Sequence, residues 1–132
     1  MAEVVVLDAS ALIALVSSSD PHHKWALEMF RDTASFDLQM TALSQAEAMV
    51  HPGRNGKLEK FQKMLNALGL VVSPIEGLDA SKLAILRATT TLKMPDACVL
   101  HQAMKVSGSI ATTDNQLAQV AKSKGVGVFS PK

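Results

Sequence analysis

The chain of 132 residues is 48% hydrophobic, carries a formal net charge of +1 and contains one cysteine, Cys98. That apolar content excludes intrinsic disorder and fits a single domain over residues 1–132. The near-neutral charge does not by itself point to nucleic acid, though it can hide a local basic patch, and one cysteine excludes an internal disulfide and fits a reducing cytoplasm.

The opening VVVLDASALIALV, residues 4–16, is small or apolar except at Asp8. Glu3 stands where a signal peptide would be basic, and Asp8 cuts the apolar run short of the ~20 residues of a membrane span, so neither is expected. Val4 to Leu7 reads as a fully buried strand, and the pattern turns helical from about Ser10 to Val16. Asp20-Pro21 reads as an N-cap followed by proline at the first helical position, opening a helix with Trp25, Met29 and Phe30 on its inner face. A short strand is expected at 38–41. Ser44 opens the next helix, where Ser44 and Glu47 match a capping box, S-x-x-E. HPGRNG, residues 51–56, reads as a loop. Phe61, Met64, Leu65 and Leu68 then recur at helical spacing, and Gly69 closes that helix.

A strand is expected within 70–75, and Leu83 and Leu86 belong to a further helix. Pro95 restarts a helix on which Leu100, Ala103 and Met104 share a face. Ser109 to Thr113 is a weak strand candidate. Leu117, Val120 and Ala121 mark a helix ended by Gly125, and 126–129 is a last strand. Alternating strands and helices predict a parallel sheet covered on both faces, because parallel strands need crossover connections. In such α/β sheets ligands bind beyond the carboxyl ends of the strands.

Four acids fall in comparable places. Asp8 ends the first strand and Asp114 directly follows SIATT. Asp96 sits in the first turn of its helix, four residues before Leu100 and seven before Ala103, so it follows the inward face. Glu47 reaches the same edge if its helix starts there. Each acid singly also fits a helix cap; Asp20, beside the exposed-looking His22 and His23, reads only as a cap. Together, several carboxylates in one cleft repel, and at least one protonates unless a cation sits among them. Oxygen donors this hard suit Mg²⁺ or Mn²⁺, and no cysteine–histidine cluster has zinc spacing. Magnesium engages phosphate oxygens, which points to a phosphate ester as substrate.

VVVLDASALIAL, LSQAEAMV, MPDACVLHQAMKVSGSIATTDNQL and the final GVGVFSP resemble the PIN-domain ribonucleases, and within them the VapC-type toxins of toxin–antitoxin pairs. The likeness runs along essentially the full chain, carried by the order and spacing of the four acids. It implies a three-layer α/β/α fold around a central, mostly parallel sheet of about five strands. It further implies an endoribonuclease that hydrolyses phosphodiester bonds with Mg²⁺ or Mn²⁺ to 5′-phosphate and 3′-hydroxyl products. Asp8, Glu47, Asp96 and Asp114 become the catalytic acids, with Asp8, Asp96 and Asp114 as metal ligands. Ser10 and Thr113 fall where the family often places a hydroxyl beside the acids; both also suit capping or a turn. The implied partners are RNA, a cognate antitoxin protein and a second copy of the chain, with no membrane. One departure stands out: the family often has a further acid just after the fourth, where this chain has Asn115 and Gln116, so one ion or two could operate.

Arg54, Lys57 and Lys60 supply basic side chains near the Glu47 helix, either to contact RNA phosphates or as a solvated face. His101 falls on another helical face from Asp96 and reads as structural or surface, not catalytic. Cys98 reads as a small buried hydrophobe, and seven methionines leave room for an adaptable apolar groove. Two other readings compete. Asp8 at a strand end also suits a magnesium-dependent phosphatase or a receiver-like domain, although both expect a second acid close by where this chain has Ser10. A non-catalytic α/β interaction module whose acids are only caps is the third.

Overall fold

The computed structural model describes residues 3–131. Its elements in order are β1 (Val4–Leu7), α1 (Ala9–Val16), α2 (His23–Asp32), β2 (Asp37–Thr41), α3 (Ala42–Arg54), α4 (Leu58–Ala67), β3 (Val71–Ser73), a 3₁₀ turn (Gly77–Asp79), α5 (Ala80–Thr89), α6 (Met94–Lys105), β4 (Ser109–Ala111), α7 (Asn115–Ser123) and β5 (Val128–Phe129). The five strands form one all-parallel sheet in the order β3-β2-β1-β4-β5.

Alternation along β1 explains the two helical layers. Val5 and Leu7 point to one face, where Leu12 of α1, Met29 of α2, Phe61 and Leu65 of α4, and Leu38 and Met40 of β2 complete a core. Val6 points to the other face and packs with Leu86 of α5, Val99 and Leu100 of α6, Ile110 of β4 and Leu117 of α7. This is the α/β/α arrangement that the run of elements implies. Among the described residues, no helix is long and apolar enough to cross a membrane.

Register positions the rest. Leu7 stands opposite Met40 on one side and Ala111 on the other, so the next residues, Asp8, Thr41 and Thr112, lie side by side at the carboxyl edge. The order reverses between β1 and β4: β2 and β3 extend to one side, then the chain crosses to the other. A crevice at such a reversal is the usual ligand site of open α/β sheets.

Several local expectations are corrected. Asp20 does not cap a helix starting at Pro21. Its Oδ1 accepts the His22 N–H at 2.8 Å and its carbonyl accepts the His23 N–H at 3.0 Å, which closes a turn, and α2 starts at His23. The Ser44–Glu47 capping box does not form either. Thr41, the last residue of β2, caps α3 by accepting the Ser44 N–H on its Oγ1 at 3.1 Å. Helix α3 continues through Pro52 to Arg54, where a loop is expected from HPGRNG. Its end is held because the Pro52 carbonyl still accepts Lys57 N–H at 2.8 Å and Asn55 N–H at 3.2 Å. Strand β4 stops at Ala111, not Thr113, and Met104 faces solvent, not the core.

Candidate active site

At the carboxyl edge between β1 and β4 stands Asp8, which is 5% exposed. As N-cap of α1 its Oδ1 accepts the Ala11 N–H at 2.9 Å and the Ser10 hydroxyl at 2.6 Å. Its Oδ2 accepts the hydroxyl of Thr112, a fully buried residue on the neighbouring strand end. The Thr112 oxygen in turn accepts the Asp114 N–H at 3.0 Å, and the Ser10 oxygen accepts the Thr113 N–H at 3.0 Å. Two hydroxyls therefore stitch the end of β1 to the turn after β4. Burial holds the Asp8 carboxyl above its ordinary range despite these donors, with the charge of Asp114 adding to the effect.

Asp114 caps α7, its Oδ1 accepting the N–H groups of Gln116 at 2.8 Å and Leu117 at 3.1 Å. Asp96 lies in the first turn of α6, just after Pro95, where the helix dipole favours its charge. Burial nevertheless pushes its carboxyl up to about 6, and the charges of Asp114, Asp8 and Glu47 push the same way against Lys93. Glu47 stands on the exposed side of α3, and partial burial and the charge of Asp8 raise it. Each of these four acids is thus linked through its charge to at least one of the others at this edge. The capping role and the clustered role coexist, since Asp8 and Asp114 do both.

Of the expected hydroxyls, Ser10 touches Asp8, whereas Thr113 contributes its backbone N–H and the side chain at the acids is that of Thr112. Arg54 sits exposed on the last turn of α3. Lys57 and Lys60, not Arg54, line a groove of about 450 Å³ that runs from Glu47 past His51 and between Ile13, Val16, Phe61 and Met64. His101 is structural in its contacts: its Nε2 lies 2.8 Å from Asp79 Oδ1. Cys98 is buried.

Among the described residues, no group of three or more His, Cys, Asp or Glu side chains is arranged to hold a metal ion. The donor chemistry nonetheless suits one. All four groups are hard oxygen donors, burial and neighbouring acids raise the affinity of Asp8, Glu47 and Asp96 for positive charge, and Lys93 alone acts on Asp96 in the opposite sense. Magnesium needs only one or two carboxylates when waters and substrate phosphates complete its shell, so a closed protein cage is not required.

The sequence profile of the PIN domain matches residues 5–123. The chain belongs to the PIN-domain family. PIN domains are nucleases, which places the chain among the hydrolases. Solved structures share the fold. A toxin–antitoxin complex from Klebsiella pneumoniae is 20% identical with a TM-score of 0.73, covering 88% of this chain and 92% of that one. FitAcB from Neisseria gonorrhoeae is 17% identical with a TM-score of 0.72, covering 95% and 96%. VapBC2 from Rickettsia felis, bound to a promoter DNA fragment, is 11% identical with a TM-score of 0.71, covering 98% and 99%. No curated protein matches the chain significantly. Membership of this PIN family removes the phosphatase and receiver alternatives.

Proposed function

We propose that this PIN domain is a metal-dependent endoribonuclease, the toxin of a type II toxin–antitoxin pair. The observation that supports this most is the gathering of acids at the sheet's carboxyl edge: Asp8 at the end of β1, tied through Thr112 to the Asp114 turn after β4, with Asp96 near enough to feel the charges of Asp8, Asp114 and Glu47. Such a concentration of negative charge is unfavourable unless a cation enters it. Asp8, Asp96 and Asp114 would hold Mg²⁺ or Mn²⁺, one ion or two. When bound, the ion makes water acidic enough to attack at neutral pH and offsets charge developing on the phosphate. Glu47, more basic than an ordinary carboxylate and open to solvent, takes a proton from the attacking water. Ser10 and Thr112 keep Asp8 pointing into the crevice. Lys57, Lys60 and neighbouring Arg54 meet the phosphates of an RNA strand lying along the groove. Ser10 and Thr113 complete the proposed set of substrate contacts.

The same groove begins at Glu47 and has an apolar wall of Ile13, Val16, Ala48, Phe61 and Met64. An antitoxin segment seated there would cover the general base and the lysines together. The rest of the reading is a homodimer acting in the cytoplasm. The test is incubation of the purified protein with a mixed RNA pool in Mg²⁺, Mn²⁺ or EDTA, with Asp8→Asn as control. Cleavage is expected only with metal and only in the wild type. Cleavage that survives EDTA, or an Asp96→Asn variant with full activity, overturns the proposal.

A further inference from the structure

We infer that a second groove, between α5 and α6, docks an acidic amphipathic helix of a partner protein. It encloses about 760 Å³ and is lined by Leu78, Ile85 and Met104 together with Lys82, Lys105 and Lys124. Of the four large apolar side chains lining it, Leu86 is buried, and Leu78, Ile85 and Met104 are unusually open at 90%, 61% and 48% exposure respectively. Aliphatic groups so exposed and gathered in one concavity mark a contact surface, and methionine adapts to varied partners.

The charge around it is one-sided. From residue 80 to residue 131 the only acids are Asp96 and Asp114, both at the carboxyl edge, against Lys82, Arg87, Lys93, Lys105, Lys122 and Lys124. The single acid lining the groove is Asp79, and it is already engaged by His101 at 2.8 Å, Lys105 at 3.4 Å and the Glu76 N–H at 2.9 Å. Lys105 is thus paired within the chain, and Lys82 and Lys124 are left on the rim to attract carboxylates from outside.

The alternatives fit less well. A second copy joined through this same patch would set lysine against lysine across a two-fold axis. RNA gains little from covering Leu78, Ile85 and Met104, and no aromatic lines the groove to stack a base. A membrane needs a broad protruding apolar face, whereas here only Leu78 stands almost fully exposed. An amphipathic helix with leucine-like anchors at i, i+3, i+4 and i+7 and acidic flanks matches both the hollow and its rim. Lys105 lies nine residues along α6 from Asp96, about 13 Å at 1.5 Å per residue, so an occupant need not touch the acids. The inference does not rest on the ribonuclease reading.

The probe is a fluorescein-labelled synthetic helix with leucines at those four positions and glutamates on its flanks, read by fluorescence anisotropy with the full chain. Its counterpart has lysines for the glutamates. Expected are binding of the acidic peptide alone and weakening of about tenfold by Lys82→Glu, Lys124→Glu or Ile85→Asp. Lys105→Glu faces Asp79 and can disturb folding, so the other variants carry the test, with circular dichroism confirming their structure. Met64→Glu, in the groove beside Glu47, is expected to leave binding unchanged. Equal binding of both peptides, no binding, or indifference to the three variants overturns the inference. So does a result in which the same variants abolish binding to phosphatidylserine vesicles or single-stranded RNA while the peptide fails to bind. Dissociation of a dimer by Ile85→Asp in sedimentation would assign the face to a second copy instead.

Discussion

Thr112 joins two acids through one oxygen, donating to Asp8 and accepting from the backbone of Asp114. Thr112→Val keeps the shape but leaves a buried carboxylate oxygen without its donor. It should cost about 1–3 kcal/mol of stability and sharply reduce RNA cleavage, measured by urea denaturation and gel assay, while Thr112→Ser retains both. The family resemblance pointed to Thr113 as the hydroxyl beside the acids, and the strand was expected to run through it. The backbone leaves the sheet after Ala111, so the first residue past the strand turns inward and the second supplies only its N–H. Asp8, Asp96 and Asp114 were legible because each is tied to an element end that apolar periodicity marks. Thr112 carries no such mark: two adjacent threonines differ only by where the strand stops.

Asp96 also sets a pH dependence. Its carboxyl stands at about 6 in the folded chain against the usual 3.8, so the folded state binds that proton more tightly than the unfolded state. Stability therefore falls as pH rises from about 4 to about 6 and levels off above, with Asp8 and Glu47 shifted in the same direction. The shift of two units corresponds to at most about 2.7 kcal/mol, and solvent screening of a half-buried group reduces this to about 1–2 kcal/mol. Asp96→Asn should flatten that part of a melting-temperature–pH curve and raise stability at pH 7 while abolishing cleavage. An unchanged curve would contradict the crowding of charge.

At the level of the elements, α3 shows how a cap places a side chain six residues on. Thr41 ends β2 and starts α3 with no intervening loop, which fixes the helix rotation and hence where Glu47 points. Thr41→Ala should lower stability by about 1 kcal/mol in thermal melts and reduce cleavage beyond what that loss explains. Proline and two glycines made residues 51–56 read as a loop, and the helix persists because its last turn is bonded forward, to Asn55 and Lys57, not back to Ala48. The clamp of Asp79 on α6 was not legible at all, since its partners His101 and Lys105 lie 22 and 26 residues away. The Glu76 N–H, followed by His101, holds the Asp79 carboxyl down at about 2. That contribution is complete above the usual 3.8 and is lost as pH falls toward 2. Asp79→Asn should therefore lower the melting temperature at neutral pH and leave it nearly unchanged at pH 2.

For the molecule as a whole, the alternation of strand and helix was enough to foresee a parallel sheet between two layers, and the order β3-β2-β1-β4-β5 adds what alternation cannot specify. Strand order depends on which side of β1 each crossover returns to, and apolar patterns do not record that. The same order puts the acids around one opening, so a divalent ion should act on the entire fold. Mg²⁺ or Mn²⁺ at millimolar concentration should raise the melting temperature of the wild type and have little effect on Asp8→Asn or Asp96→Asn. Equal shifts in all three proteins would mean that the ion binds elsewhere.

Because β1 lies between β2 and β4, its carboxyl end becomes a pocket wall only when a strand about a hundred residues later has settled beside it. Closing so long a loop is among the slow steps of folding, and nothing shorter brings Thr112 and Asp114 to Asp8. Until β4 has paired with β1, Asp8 has neither Thr112 nor Asp114 beside it, so a chain that stops short of β4 lacks the assembled cluster of acids.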